Sequence, residues 1–501
     1  MKNPNILILN LPSPPGMDVD RDYSGGYGTA NLVRRQEYGH SGDVLFLSFT
    51  PYLGTAIRRQ GWGLQVIDAQ ASRWNLDETL GAVERLSPDF IVSLVSLPSM
   101  AGDLEVLHRV KQRLPRCTIL AVGTVARTLS DELLKNCAVD FAIVANYPFY
   151  APPIMDLVKA CQANSPPSSR FITINQPGKT VAGSDKSSTP GLGDKARADS
   201  LDDLDLEVYS AFPLREYRTS FAGTRGESVN YFPVLSSAGC PYPCIYCPYP
   251  LGFGKVIAYK SPDKLVAEME YLRDQFGIQA FLFRDQVFTA NHRRVETLCD
   301  LILARGLDVQ WLFETRVDLV SKDLLEKVRR AGCNRIHFGI ETGDAEFLRR
   351  VGKPGVEQRQ ALEAFREAAA LGIRTVAHVI VGLPGETREM LWNTYRFLGE
   401  LDPDNASWNL ATPYPGTKLF EEAERKNLIL TRDWTKFNTN ELVMRTEELS
   451  GPELVELLNT FSRKDTCRKV FRRMKRAVSS KRELDYIVRR SVNKVKHILK
   501  R

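Results

Sequence analysis

The sequence predicts an α/β protein of two successive strand–helix domains followed by a basic helical C-terminal region. Three observations lead there. Short apolar runs alternate with amphipathic stretches from residue 1 to about 160. The same alternation resumes at Val229 and continues to about Thr417. Between the two lies a stretch rich in Ser, Pro, Gly, Asp and Lys, from Gln162 to Leu204. Strands separated by helices imply parallel pairing, because parallel neighbours need a long crossover.

In the first block, residues 1–161, strands are predicted at Ile6–Leu9, Leu64–Asp68, Phe90–Val95, Ile119–Val122 and Phe141–Val144. Helical patterns fall near Tyr52–Gln60, Asp77–Leu86, Asp103–Leu114, Ser130–Asn136 and Ala151–Cys161. Five strands so spaced read as a doubly wound parallel sheet, which binds ligands beyond the carboxyl ends of its strands. Residues 162–228 read as linker and connecting segment, with Gln162–Pro167 and Ser184–Ser200 as linker and a weak strand at Phe171–Ile174. In residues 229–420, strands are predicted at Tyr231–Ser236, Ala280–Arg284, Val309–Glu314, Arg335–Gly339, Thr375–Val381 and Ala406–Leu410. Helices fit Ser261–Phe276, Arg293–Arg305, Lys322–Ala331, Glu357–Leu371 and Arg388–Glu400. Residues 421–501 form the C-terminal helical region.

The 501 residues suit two or three domains, and 43% hydrophobic with 25% charged residues is the balance of a soluble globular protein. No apolar run approaches the ~20 residues needed to span a bilayer. The first residues lack the regions of a signal peptide, and nine cysteines in a chain of this size are not a disulfide scaffold. A cytoplasmic location is expected. The net charge of +7 is uneven: from Phe461 to Arg501 there are 16 Lys+Arg against 3 Asp+Glu. A local basic segment does not make the whole chain a nucleic-acid binder, and no nucleic-acid partner is expected.

The chemistry concentrates in Cys240-Pro241-Tyr242-Pro243-Cys244-Ile245-Tyr246-Cys247, just after the strand-like Tyr231–Leu235. Three thiolates at C-x3-C-x2-C spacing can hold three corners of an iron–sulfur cube, whereas full protein ligation takes four. The next cysteine is Cys299, so one iron is left open. A zinc site is the rival reading, but no second knuckle exists and the nearest histidine in sequence is His292.

This motif resembles that of the radical S-adenosylmethionine (SAM) superfamily, in which the open iron chelates SAM and the reduced cluster cleaves it to a 5′-deoxyadenosyl radical. The resemblance implies a [4Fe–4S] cluster on Cys240, Cys244 and Cys247, with Tyr246 as the aromatic residue before the third cysteine. It also implies a partial (β/α)6 barrel over the second block, with its site at the C-terminal ends of the strands. A one-electron donor such as flavodoxin or ferredoxin is expected.

Further segments carry the likeness. Phe283-Arg284-Asp285-Gln286 resembles a strand-end motif of members with an N-terminal cobalamin-binding domain, where Asp285 would accept from the SAM amino group. The other reading of Asp285 is a helix N-cap or turn. Glu314 and Arg316 alternate with apolar neighbours and would face the barrel mouth. Arg316 could pair with the SAM carboxylate or form a rim salt bridge. Glu341, in Gly339-Ile340-Glu341-Thr342-Gly343, corresponds to the family's acidic SAM contact, or to a buried ion-pair partner. Gly382, in Val381-Gly382-Leu383-Pro384-Gly385-Glu386-Thr387, opens a turn that would shape the adenosine site, with Glu386 and Thr387 able to cap the next helix. Thr412–Leu419 resembles a segment of the substrate-side wall.

The first block resembles the cobalamin-binding domain of one large subgroup, and Ser93 and Ser96 lie in a small-polar loop like the one that receives the cofactor's tail. No Asp-x-His-x-x-Gly follows the first strand, so histidine ligation of cobalt is not expected; His108 reads as an ordinary surface or packing residue. Val122–Val125 and Ala145–Pro148 also depart from the subgroup's usual turns, which leaves open a domain that keeps the fold without the corrin. Within the subgroup, methylation of an unactivated carbon is the commonest reaction, one SAM giving the radical and a second the methyl group. Cyclisation, oxidation and rearrangement are the same-class alternatives; a non-catalytic iron–sulfur or zinc module is the different-class one. The substrate would be a small molecule or lipid. Leu484, Ile487, Val488, Val492, Val495, Ile498 and Leu499 recur at helical spacing among Arg and Lys, a pattern for peripheral contact with an anionic membrane or for packing on the barrel with a basic solvated face.

Overall fold

The computed structural model describes residues 3–32, 44–135, 138–169, 172–174, 201–222 and 228–477. The linker predicted at Ser184–Ser200 and the amphipathic tail beyond residue 477 lie outside these residues, as does His40.

The strand at Asn5–Asn10 (β1) has apolar residues on both sides: Leu7 and Leu9 enter one core, Ile6 and Ile8 the other. Such continuous burial is what a parallel strand covered on both faces requires. An antiparallel hairpin follows, Met17–Asp20 (β2) with Thr29–Leu32 (β3). The strands Gly63–Asp68 (β4), Phe90–Leu94 (β5), Thr118–Val122 (β6), Phe141–Ile143 (β7) and Ile172–Ile174 (β8) complete a sheet in the order β4-β1-β5-β6-β7-β8. Pairing is parallel except for β8, which runs antiparallel at the edge. The helices Leu76–Leu86 and Met100–Arg113 cover one face; Thr50–Arg59 and Ala151–Gln162 cover the other. The order reverses at β1, so a crevice opens beyond the carboxyl ends of β1 and β5.

The second sheet holds Phe232–Val234 (β9), Ala280–Phe283 (β10), Gln310–Thr315 (β11), Cys333–Glu341 (β12), Arg374–Val381 (β13) and Asn405–Leu410 (β14), all parallel and in sequential order. β9 and β14 do not pair, so the sheet curves into a partial barrel. Tyr231, Ala280, Leu282 and Leu312 pack together in a small core of their own. The long helix Gly451–Ala477 closes the far side, burying Leu454, Leu457 and Phe461 against Val381, Leu391 and Leu410. No helix among the described residues is long and apolar enough to cross a membrane.

The segment between β2 and β3 joins the two sheets. Tyr27 stacks on Tyr414 with ring centroids 5.1 Å apart, and Tyr414 Oη donates to Ser24 Oγ at 3.0 Å. Gly25 takes φ +68° where an added Cβ would lie 2.8 Å from the Pro248 backbone, so only glycine admits this approach. Arg21 is fully buried: its Nη1 donates to Asp103 (2.7 Å), Ser99 (2.9 Å) and Ser96 (3.1 Å), its Nη2 to the Leu11 and Pro12 carbonyls (both 3.2 Å). Removing one member of such a pair strands a buried charge. Asp103→Ala is expected to cost about 3–5 kcal/mol, seen as a lowered thermal midpoint by circular dichroism; an unchanged midpoint would show the ion pair to be dispensable.

Candidate active site at the mouth of the second sheet

The cysteine loop begins where β9 ends. The Asp285 carboxylate, just beyond β10, accepts from Ser236 N (3.0 Å), Ser236 Oγ (2.6 Å) and Ser237 Oγ (2.6 Å). Arg294 Nη2 donates to the Ser236 carbonyl at 2.7 Å. Ser237–Ala238 then pairs antiparallel with Ala258–Tyr259, which turns the chain outward. Gly239 takes φ +111°, and an added Cβ would lie 2.1 Å from the Val256 carbonyl oxygen. Cys240 N donates to the Gly254 carbonyl, Ile245 N to Val351 and Cys247 N to Cys244. Gly352, at φ +80°, lies against the backbone of Pro243 and Cys244, where a Cβ would be 2.4 Å from the Pro243 oxygen.

These constraints bring the three cysteines together, Cys240 buried and the other two half-buried. Burial pushes the Cys240 thiol up to about 11 and raises Cys244. Cys247 is raised well above the ordinary value by burial, then by Cys240 and Cys244. Lys353 opposes the rise at Cys244. A set of close, soft, sulfur-only donors fits three corners of an iron–sulfur cluster, and iron uptake here releases protons.

Tyr246 is placed beside Cys244. Glu341 lies within electrostatic reach of Cys244 and Tyr246 and pairs with Lys353 at 2.7 Å. Its φ of +62° is rare for a residue with a Cβ, and the β12–β13 register shifts between Gly339 and Glu341. Arg316 stacks over the Tyr242 ring at 4.1 Å and binds the Asp318 carboxylate through two nitrogens, at 2.9 and 2.8 Å. Asp285 sits beneath the loop, spent on its serines, and the N-cap of the next helix is Asn291. Gly382 N donates to Glu386 Oε2 at 2.7 Å, and Gly382 packs on Leu454. Glu386 thus does not cap the following helix; Thr387 does.

Glu314 lies in the barrel interior, facing His337 on β12 and His378 on β13. Burial pushes its carboxyl up, but His337, His378 and Arg284 outweigh this and hold it at about 2. Ser93 and Ser96 belong to the first sheet: Ser93 Oγ donates to the Leu9 carbonyl at 2.9 Å, and Ser96 joins the Arg21 network. His108 is exposed on its helix, beside Gln112. The sequence reading passed over Arg284, His337, Lys353 and His378. On β12 the available signal was Arg335 and His337 at alternate positions of a largely apolar strand; Lys353 lies on no strand and carried no such signal.

Residues 234–398 match the Radical SAM superfamily profile. An uncharacterized methyltransferase of Pyrococcus horikoshii is 26% identical over 432 residues, covering 86% of this chain and 89% of that protein. The anaerobic magnesium-protoporphyrin IX monomethyl ester cyclase of Cereibacter sphaeroides is 27% identical, covering 83% of this chain and 66% of that one. The fold is shared with TsrM of Kitasatospora setae, a radical SAM methyltransferase whose structure holds cobalamin and a [4Fe–4S] cluster: TM-score 0.68, 15% identity, 92% of this chain and 91% of that chain.

Gly239→Ala is expected to lower iron and sulfide content after anaerobic reconstitution severalfold; full loading would refute the strained turn as a requirement. Burial pushes the Glu386 carboxyl up from 4.5 to about 8 against its bonds to Gly382 and Leu383. The folded protein keeps that proton where the unfolded chain has lost it. Its contribution to stability is therefore complete below about 4.5 and is lost as pH rises through about 8. Glu386→Gln should flatten this decline and melt higher than wild type above pH 8; parallel melting curves across that range would contradict it.

Proposed function

We propose, from the match of residues 234–398 to the Radical SAM superfamily, that the chain is a radical SAM enzyme that methylates a carbon of a small molecule, using a [4Fe–4S] cluster, SAM and cobalamin. The carrying observation is the three-thiol loop at the mouth of a partial barrel that is buttressed by a doubly wound sheet. The extent of the likeness to the Pyrococcus methyltransferase, nearly the whole of both chains, supports the choice of reaction.

Cys240, Cys244 and Cys247 would hold the cluster, leaving one iron for SAM. Held by these residues, such a cluster would supply the electron for cleaving a C–S bond of SAM to a 5′-deoxyadenosyl radical. Glu341 and Arg316, both within electrostatic reach of Cys244, would offer opposite charges for the amino and carboxylate ends of SAM. Tyr246, half-buried beside Cys244, would help exclude water from the thiolates.

Cobalamin fits the first sheet on one observation. Beyond the carboxyl ends of its strands, Arg21 Nε and Asp103 Oδ1 are buried polar atoms without a hydrogen-bond partner among the described residues. Such atoms suit a polar ligand tail beside Ser93 and Ser96. Cobalamin held there would supply methyl-transfer chemistry, with a second SAM as the methyl source. The electron would come from flavodoxin or ferredoxin. A basic amphipathic tail bringing the enzyme to a membrane-borne substrate belongs to the same reading.

The cyclase relative favours a second reading, ring closure started by the same radical. Methyl-labelled SAM separates them: transfer of label to an acceptor is expected, with deoxyadenosine formed alongside. Deoxyadenosine with unlabelled product would overturn methylation and leave the radical chemistry standing. Cys244→Ala should abolish deoxyadenosine formation; retained cleavage would displace that residue from the cluster.

A further inference from the structure

We propose that Glu314, His337 and His378 form a second metal site, inside the barrel, for a borderline divalent ion such as Zn2+ or Fe2+. The three residues come from adjacent strands β11, β12 and β13. Glu314 pairs with His337 in the ladder; His378 pairs with Gly339, and the barrel's stagger lifts it to the level of His337. One ligand atom from each residue lies within 4.8 Å of the other two.

The separations are those of a coordination polyhedron. His337 Nδ1 is 3.7 Å from Glu314 Oε1 and 3.3 Å from His378 Nε2. Two ligands each about 2.1 Å from one tetrahedral ion stand about 3.4 Å apart. A hydrogen bond joins two of the three, His378 Nε2 and His337 Nδ1 at 3.3 Å, and does not reach the carboxylate. His337 Nδ1 carries at most one proton, yet it faces a carboxylate oxygen and a second ring nitrogen. The distance of 3.7 Å to the carboxylate is also beyond a hydrogen bond. A cation on the shared point satisfies all three atoms at once.

Two imidazoles and one carboxylate select borderline metals over hard ones, and three protein ligands leave room for a further one. Tyr249, on the helix after the cysteines, lies within electrostatic reach of both Glu314 and Cys247. The ion would therefore sit in the same lumen as the cysteine loop. An ion so placed takes an oxygen donor, a carboxylate, carbonyl or phosphate, and anchors the substrate beneath the radical. The metal site itself stands apart from the methylation reading.

The test uses the full-length chain with Cys240, Cys244 and Cys247 all changed to Ala, so that the cluster thiols cannot take the probe. After equilibration with Zn2+ alone and gel filtration, one zinc per chain is expected by mass spectrometry. X-ray absorption should report nitrogen and oxygen ligands only, at about 2.0–2.1 Å. His378→Ala and the near-isosteric Glu314→Gln, each in that background, should lower zinc retention at least severalfold, with Glu314→Gln deciding if His378→Ala fails to fold. Absence of zinc from the parent, or retention untouched by Glu314→Gln, would overturn the site.

Discussion

A carboxylate beneath the cysteine loop carries the site. Asp285 accepts three hydrogen bonds from two successive serines at the end of the first barrel strand, and two of them are short contacts to hydroxyls. Bonds to an ionised acceptor are roughly twice as strong as neutral ones. They fix the point at which the backbone leaves the sheet, and Arg294 holds the same turn from the carbonyl side. Everything the cysteines do begins from that turn. Gly239 takes the chain through a left-handed step that Val256 forbids to any side chain. Gly352 lets the following segment press against Cys244. The thiols are thus gathered by backbone geometry, and burial raises all three above the ordinary thiol value.

The first sheet is bound to the barrel by the same kind of buried polar contact. Arg284, at the C-terminal end of β10, donates to the Asp22 carbonyl at 2.7 Å and lies over the Tyr23 ring. Tyr27 and Tyr414 stack across the junction, and the apolar cores on both faces of the first sheet run on into residues of the second half. The carboxyl ends of β1 and β5 are therefore set relative to the barrel by buried, mutually packed side chains. That is the condition for two bound groups to react at a fixed distance.

Strands buried on both faces announce themselves as apolar runs, and those runs marked the cores of every long strand in both sheets. The hairpin β2–β3 did not, because Met17-Asp18-Val19-Asp20 alternates polar residues and draws its burial from a partner across a glycine-rich turn. The antiparallel edge of β8 was likewise beyond reach: direction is decided by where the connection runs, and a three-residue strand carries no record of it. The cysteines were legible because their spacing is itself the chemistry. Glu341 and Arg316 were legible as charges near a strand end, but their actual partners, Lys353 and Asp318, depend on chain reversals that no local pattern encodes. The convergence of His337 and His378 depends on barrel stagger, which sets which rung faces which and is invisible in one strand alone.

Those partners bear on how ligands enter. Arg316 already has both arms of its fork on Asp318, and its Nη2 also donates to the Pro354 carbonyl at 2.7 Å. Lys353 already satisfies Glu341 and the Gly339 carbonyl. Unpaired charges this deeply enclosed would be costly, so the protein keeps them neutralised in pairs. Under the proposed function, a zwitterionic ligand such as SAM would meet both pairs: its carboxylate would find Arg316 Nη1 without a partner among the described residues and would compete with Asp318 for the rest of the guanidinium, and its ammonium would compete with Lys353 for Glu341. The exchange replaces one ion pair with another, so its net electrostatic gain is small. On that reading, binding strength would come chiefly from the iron and from burial of the nucleoside. The charged pairs contribute orientation, because only a ligand presenting both signs at the right separation can displace both internal partners together.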